Sequence, residues 1–333
     1  MISIPSFAKI NLGLTIGPKR PDGFHELRTV YQTVAIHDVV RVQLEPGSGI
    51  EIRCDDAQVP LDSSNTCYKI AERVLEAAAR LKPAATKVII EIEKRLPVQG
   101  GLGAASSNAV ATMLALERAL RIALTPAGEL RIAGDVGSDL PLFLLGGTVL
   151  GVGRGEEVYP LPDLPRLHIV LVTASVGVST PQAFARWDEL VARNAGLTPP
   201  GAAGTINEFS GRVFTWLSKS FSQALPASGV PARGGNRAET PLLDLVRAGI
   251  ENDFERVVFP EYPDLREVKE LLLREGAHYA SLSGSGSTLY GLFASETEAL
   301  RAADRISAAG HNALPTRTLT RAEYWEALAR GGE

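Results

Sequence analysis

Residues 97–108 read Pro-Val-Gln-Gly-Gly-Leu-Gly-Ala-Ala-Ser-Ser-Asn, a run of small side chains between a β-branched segment and a helical pattern. Small side chains let backbone N–H groups approach an anion, and the N-terminus of the following helix adds partial positive charge, so phosphate is the natural guest. A tight strand-to-helix turn would have the same composition. No Gly-Lys-Ser/Thr closes the run and it does not fit G-x-G-x-x-G, which excludes a Walker loop and a dinucleotide fingerprint. Gly101→Val is expected to block backbone approach while leaving the fold largely intact. At 137–141, Gly-Ser-Asp-Leu-Pro offers Asp139 either as the N-cap of a helix over Pro141–Leu145 or as a general base. Ser-Gly-Ser-Gly-Ser at 283–287 is a second phosphate cradle or a plain hairpin loop. Lys9 shares a strand face with Asn11, where a solvated lysine is the ordinary alternative to a functional one.

Positioning these groups takes strands on one side of each loop and helices on the other. Ala8, Ile10, Leu12, Leu14 and Ile16 alternate with Lys9, Asn11, Gly13 and Thr15, the period of a half-buried strand. Strand-like segments at 26–36, 39–44 and 49–54, joined by Gly, Pro and Asp turns, predict an antiparallel start. Ser64-Asn65-Thr66 supplies N-caps for a helix to about Leu81. Lys87–Ile92 reads as a short strand, Ser106–Leu120 as a helix with Ser-Ser-Asn at its cap, and Thr125-Pro126 starts another. Further on, 166–174, 279–283, 288–293 and 313–318 read as strands, and 181–192, 263–275 and 296–309 as helices. The stretch 194–241, rich in Gly, Pro, Ala and Ser with one amphipathic piece at 209–221, reads as a loop-rich insertion or linker. The expected class is α+β in two domains, 1–160 and 161–333.

Composition bounds the function. The chain has 333 residues, 45% hydrophobic and 22% charged, with a net charge of -4. It can bury a sizeable core, and its acidic balance disfavours a nucleic-acid binder. Cys54 and Cys67 are too few for a disulfide framework, and His25, His37, His168, His278 and His311 are too scattered to read as a zinc site. The alternating start is unlike a signal peptide, and the longest apolar run, 140–152, is glycine-broken and shorter than the roughly 20 residues a bilayer needs. A cytoplasmic protein is expected.

Taken in order, Ser-Phe-Ala-Lys-Ile-Asn-Leu at 6–12, Pro-Asp-Gly-Phe-His-Glu-Leu at 21–27, the 97–108 loop, Gly-Ser-Asp-Leu-Pro and Ser-Gly-Ser-Gly-Ser resemble the GHMP kinase superfamily over nearly the whole chain. Within it they resemble the kinases of 4-diphosphocytidyl-2-C-methyl-D-erythritol. Gly-Gly-Thr at 146–148, Gly-Arg-Gly-Glu at 153–156 and Asn252-Asp253 fit that branch, whose loop usually reads Gly-Gly-Gly where this chain has Gly103-Ala104-Ala105. The resemblance implies an N-terminal domain with a mixed or antiparallel sheet and a C-terminal ferredoxin-like α/β sandwich. It implies transfer of the ATP γ-phosphoryl to the substrate's 2-hydroxyl in the non-mevalonate isoprenoid route, with Mg²⁺. Carried over residue by residue, Lys9 and Asp139 are the catalytic pair, with Asp139 the base. Pro97, Val98, Gln99, Gly100, Gly101, Leu102, Gly103, Ala104, Ala105, Ser106 and Ser107 hold ATP, with Ser107 the one candidate metal ligand. Gly284, Ser285 and Gly286 support the phosphates, Asn11 contacts substrate, Phe24 and Phe184 stack the cytosine, and His25 reads its edge. Partners are small molecules rather than nucleic acid or membrane, in a monomer or weak homodimer. Two alternatives stay open: another GHMP kinase, such as homoserine or mevalonate kinase, and a catalytically silent nucleotide-binding relative. Retention of Lys9 and Asp139 speaks against the second.

Overall fold

The computed structural model describes residues 1–79, 86–98, 100–174, 176–193 and 251–331. Gln99, the expected helix end near Leu81 and the 194–241 stretch with its 209–221 piece lie outside the described residues.

β1 (Ile2–Lys19) and β2 (His25–Pro46) pair antiparallel along most of their length. The segments 26–36 and 39–44 are therefore one strand rather than two. Register jumps from Phe7↔His37 to Ala8↔Val34, and this bulge absorbs the break in alternation that suggested a boundary. Along its other edge β2 pairs with β4 (Thr86–Glu93) through 39–46 and with β5 (Thr148–Val152) through 29–32. β3 (Gly49–Arg53) lies parallel to β4, and β6 (Glu157–Pro160) lies antiparallel to β5, which completes a mixed six-stranded sheet. α1 (Thr66–Ala79), α2 (Ala104–Leu120), α3 (Pro126–Val136) and α4 (Leu140–Phe143) share a core with it that includes Val40, Ile70, Ile90, Met113 and Phe143.

Two helix starts follow from local caps. Asn65 Oδ1 accepts the Cys67 amide at 2.8 Å, and Thr125 accepts the Gly128 amide ahead of Pro126. α2 departs from expectation. It starts at Ala104, after Gly103 turns left-handed at φ +69, with no side-chain cap. Alanine is the strongest helix former, so the helix begins as soon as the glycine turn allows. Ser107 and Asn108 are then interior residues, Ser107 accepting from Ser6 Oγ at 2.8 Å and Asn108 donating to Asp38 at 3.0 Å.

The second sheet holds β7 (His168–Thr173), β8 (Tyr279–Leu282), β9 (Thr288–Phe293) and β10 (Asn312–Arg317) in the order β10-β7-β9-β8, antiparallel throughout. With α5 (Thr180–Arg193), α6 (Glu255–Glu261) and α7 (Pro263–Arg274) between β7 and β8, and α8 (Glu296–Ala308) before β10, this is the split βαββαβ plan of a ferredoxin-like sandwich. Ala8, Ile10 and Leu12 of β1 pack with Ile169, Leu171, Tyr290 and Leu292 of this sheet. β1 is thus covered on both faces, and Lys9 at 3% and Asn11 at 1% exposure are buried where alternation alone suggested a half-buried strand.

α9 (Arg321–Arg330) opens with a Thr320–Glu323 capping box and returns to the first layer. Its Tyr324 hydroxyl donates to Phe143 O at 2.7 Å and its Trp325 Nε1 donates to Leu145 O at 3.0 Å. No helix among the described residues is long and apolar enough to cross a membrane.

Candidate active site

Asp139 occupies the cap position of α4, yet its side chain makes no cap hydrogen bond. Its Oδ2 lies 3.4 Å from Lys9 Nζ, and its Oδ1 accepts the Tyr31 hydroxyl at 3.0 Å. Lys9 is held in turn: Nζ donates to Asn11 Oδ1 at 2.7 Å, Asn11 Nδ2 donates to Thr29 Oγ1 at 2.7 Å, and Thr29 Oγ1 donates to Gly13 O at 2.7 Å. A buried ammonium must be paired, and the carboxylate supplies its counter-charge. The Asp139 side chain keeps 33% exposure, so one side of it is open to a reactant. Such an arrangement can accept a proton while a fixed cation balances the charge that develops.

Tyr31 did not stand out in the sequence. Burial first, and the Asp139 charge second, push its phenol well above the ordinary tyrosine range, so it remains a donor. Two glycines make room for it. A Cβ on Gly151 would sit 2.4 Å from the Tyr31 ring, and one on Gly155 would sit 2.5 Å from its hydroxyl.

The glycine-rich loop lies against the same lysine. Lys9 N donates to Leu102 O at 2.9 Å, and a Cβ on Gly103 would meet Lys9 Cγ at 3.1 Å. The alanines that replace the usual glycines, Ala104 and Ala105, are helical and carry no backbone strain; positive φ falls at Gly101 and Gly103. From the other sheet, Ser283–Ser287 is the loop of the β8–β9 hairpin. Ser283 Oγ donates to Gly101 O at 3.0 Å and Thr288 N donates to Gly100 O at 3.1 Å. A Cβ on Gly101 would fall 2.1 Å from Ser283 O. Gly101→Val would therefore drive the hairpin off the loop, and the expectation of an intact fold is corrected. Gly284 leaves space in front of the lysine, since its Cβ would stand 3.6 Å from Lys9 Nζ. Ser285 Oγ bonds Thr180 Oγ1 at 2.7 Å, and Asn252 Nδ2 donates to Leu282 O and Gly284 O at 2.8 and 2.7 Å.

Beside the start of α2 opens a cavity of about 320 Å³. Pro97, Val98 and 100–106 form one wall; Gln58–Pro60, Asn65, Thr66 and Lys94 form the other. Asn108, whose buried Oδ1 has no hydrogen-bond partner, also lines it. The second wall carried no signal in the sequence, because no motif marks a loop that merely faces another.

At the far end of β1 and β2, His25 is buried. Its Nε2 lies 2.7 Å from Asp188 Oδ1, and Lys19 donates to Oδ2 at 3.3 Å. Burial raises the Asp188 carboxyl, but these two bonds outweigh it and bring it below the usual range, so Nε2 of His25 is the donor. Phe184 stacks on His25 at 4.9 Å between centroids and meets Phe254 edge-on. It is this imidazole, not Phe24, that Phe184 covers. Phe24 is 52% exposed, with the Arg154 guanidinium 5.0 Å from its ring centroid.

Models of known families match twice, with the N-terminal domain of GHMP kinases at residues 65–147 and the C-terminal domain at 238–312. A two-layer fold with a glycine loop and a lysine–aspartate pair at the layer junction is that of a GHMP kinase. A homoserine kinase from Cytophaga hutchinsonii superposes with a TM-score of 0.68 at 20% identity over 96% of this chain and 95% of that one. A crystal structure of 4-(cytidine 5'-diphospho)-2C-methyl-D-erythritol kinase gives the same 0.68 at 27% identity, covering 95% and 99%. Fold alone does not choose between them; sequence does. The 4-diphosphocytidyl-2-C-methyl-D-erythritol kinase of Solibacter usitatus is 36% identical over 90% of this chain and 84% of its own length. The enzyme of that name from Moorella thermoacetica is 33% identical over 96% and 99%. The chain belongs to the 4-diphosphocytidyl-2-C-methyl-D-erythritol kinase family.

Proposed function

We propose that this chain transfers the γ-phosphoryl group of ATP to the 2-hydroxyl of 4-diphosphocytidyl-2-C-methyl-D-erythritol, releasing ADP, in the non-mevalonate route to isoprenoids. The observation that carries the reading is the Lys9–Asp139 pair, 3.4 Å apart where glycine loop and hairpin meet. Phosphoryl transfer asks for alignment and charge neutralisation more than for covalent chemistry. Asp139 takes the hydroxyl proton as the oxygen attacks the γ-phosphorus and the bond to the β-phosphate oxygen breaks. Lys9 orients Asp139 and balances the transferring charge, and Tyr31 fixes the other carboxylate oxygen. Main-chain N–H groups of 100–106 and the N-terminus of α2 receive the phosphates, and the neighbouring cavity receives the adenine.

Magnesium, which the family implies, would find few protein ligands here, since Ser107 is 2% exposed and its Oγ accepts from Ser6 Oγ. Among the described residues no three of His, Cys, Asp and Glu cluster into a cage, and Mg²⁺ in kinases is held mainly by phosphates and water with one or two protein oxygens. Ser107 would be the candidate protein oxygen, and the ion would supply charge neutralisation for the phosphates. Cytosine stacks on Phe24, and His25, with Nε2 committed to Asp188, has Nδ1 and its backbone for the base edge. Asn11 keeps Lys9 in place and borders the polyol. We read 1–160 and 161–333 as the two domains, 194–241 as an insertion, and the whole as a cytoplasmic monomer or weak homodimer.

A coupled ADP-release assay against the diphosphocytidyl substrate, mevalonate and homoserine tests this. Turnover of the first alone is expected. Faster turnover of either other alcohol would transfer the chain to that kinase, and turnover of none would leave a silent nucleotide binder.

A further inference from the structure

The Gly153-Arg154-Gly155-Glu156 segment joins β5 to β6 and, apart from the clearance Gly155 gives Tyr31, has no part in the mechanism above. At one end, Leu27 N donates to Gly153 O at 2.6 Å, which ties the turn to the strand just after Phe24 and His25. At the other, the Cβ position of Gly155 lies 2.5 Å from the Tyr31 hydroxyl and 3.9 Å from Asp139 Oδ1. The turn therefore spans from the exposed aromatic to the open carboxylate. Glu156 clamps the stem of Arg154: Oε2 accepts its backbone N at 2.6 Å and Oε1 accepts its Nε at 3.1 Å. The guanidinium carbon rests 5.0 Å from the Phe24 centroid, with 30% of the side chain exposed. Among the described residues Nη1 and Nη2 have no hydrogen-bond partner.

Resting on the function proposed above, we infer that Arg154 binds the diphosphate that links the cytidine to the polyol. The substrate is a base, a diphosphate and a polyol in that order. With the base at Phe24 and the hydroxyl at Asp139, the diphosphate lies alongside the 153–156 turn. Neighbouring cations are committed elsewhere: Lys9 to Asp139 and Asn11, Lys19 to Asp188, Arg20 to Asp22 and Glu26. Arg154 is also ion-paired, to Glu156 through Nε, but among the described residues its Nη1–Nη2 edge makes no hydrogen bond, and that edge has the planar geometry that holds phosphate in two parallel bonds. Glu156 accepts from the backbone N and from the Nε edge of the guanidinium, which orients the group and leaves its Nη1–Nη2 edge for a ligand. Selectivity for a diphosphate-linked substrate over the free polyol or the free nucleoside then resides largely in one side chain.

Calorimetry with cytidine and CDP as probes tests this, on the full chain with the nucleotide site saturated by a non-hydrolysable ATP analogue. For the wild-type protein CDP is expected to bind at least about ten-fold tighter than cytidine. Arg154→Gln should bind cytidine within about two-fold of wild type, which also reports an intact fold, while the gain from the diphosphate drops below about three-fold. Arg154→Lys should recover part of the gain, and the ATP KM should not move. An undiminished CDP gain in Arg154→Gln overturns the inference, as does an equal loss for both probes, which would make Arg154 a support for the Phe24 ring. Failure of wild type to bind either probe overturns the cytidine reading itself and the inference with it, an outcome distinct from the other two.

Discussion

At Asp139 an asparagine would serve a helix N-terminus as well as an aspartate does, but it cannot take a proton. The side chain makes no cap bond, but it is the counter-charge of the buried Lys9 ammonium, so Asp139→Asn is expected to lower the melting temperature and to lose roughly 10²–10⁴ in kcat with little change in KM. Near-normal turnover would remove Asp139 from the chemistry. Lys9→Met should fall as steeply, and the double variant should lose little more than the worse single one, since the two act as a unit. Tyr31→Phe removes one donor and no volume; a kcat drop of about ten-fold at unchanged KM is expected, and steady-state kinetics decide it. Lys9 and Asp139 were legible because residue types and motif order mark them. Tyr31 was not: its role depends on which strand and loop lie over it, and on Gly151 and Gly155 standing aside.

The next scale up is the element, and α2 gives its clearest test. Ala105 is exposed in the first turn, where a carboxylate would meet a favourable helix dipole and an unfavourable phosphate. Ala105→Asp should hold or raise the melting temperature while raising the ATP KM by about ten-fold or more; an unchanged KM would remove phosphate from that helix end. At the other end of α2, burial above all, together with the charge of Glu129, pushes the Glu117 carboxyl up to about 7. The folded state then holds a proton that the unfolded chain releases near its ordinary value of 4.5. Stability from this pair is therefore highest below about pH 4.5 and is lost as pH rises through about 7. Glu117→Gln, which can still accept the Leu124 amide, should raise the melting temperature near pH 8 and flatten its fall between those limits. A parallel shift at all pH values would rule out this origin. Most strands and helices were visible as periodicity; β5, β6, α6 and α9 were not, being short or without a clean period. The start of α2 and the fusion of 26–36 with 39–44 were not, because a left-handed glycine and a bulge interrupt the pattern without ending the element.

Across the whole molecule, the two layers share β1 and meet at the hairpin that Asn252 holds by two carbonyls. Asn252→Leu would orphan both at about 1–3 kcal/mol each, so a fall of several degrees in melting temperature together with a higher ATP KM is expected; a lower melting temperature with unaltered ATP kinetics would separate the hairpin from nucleotide binding. The α+β plan was legible from segment order. The burial of Lys9 was not, since alternation reports one covered face and the second cover comes from β7 and β9, far away in sequence. The return of α9 has a consequence for biosynthesis. A ribosome delivers Lys9 and Asp139 long before Tyr324, whose hydroxyl and ring close the core beneath the turn that carries Asp139. At roughly 5–20 residues per second, that wait is on the order of tens of seconds. Until residues 321–330 emerge and dock, Phe143 O lacks the Tyr324 hydroxyl and the turn that carries Asp139 lacks its cover, so the base is the last part of the site to be fixed in place.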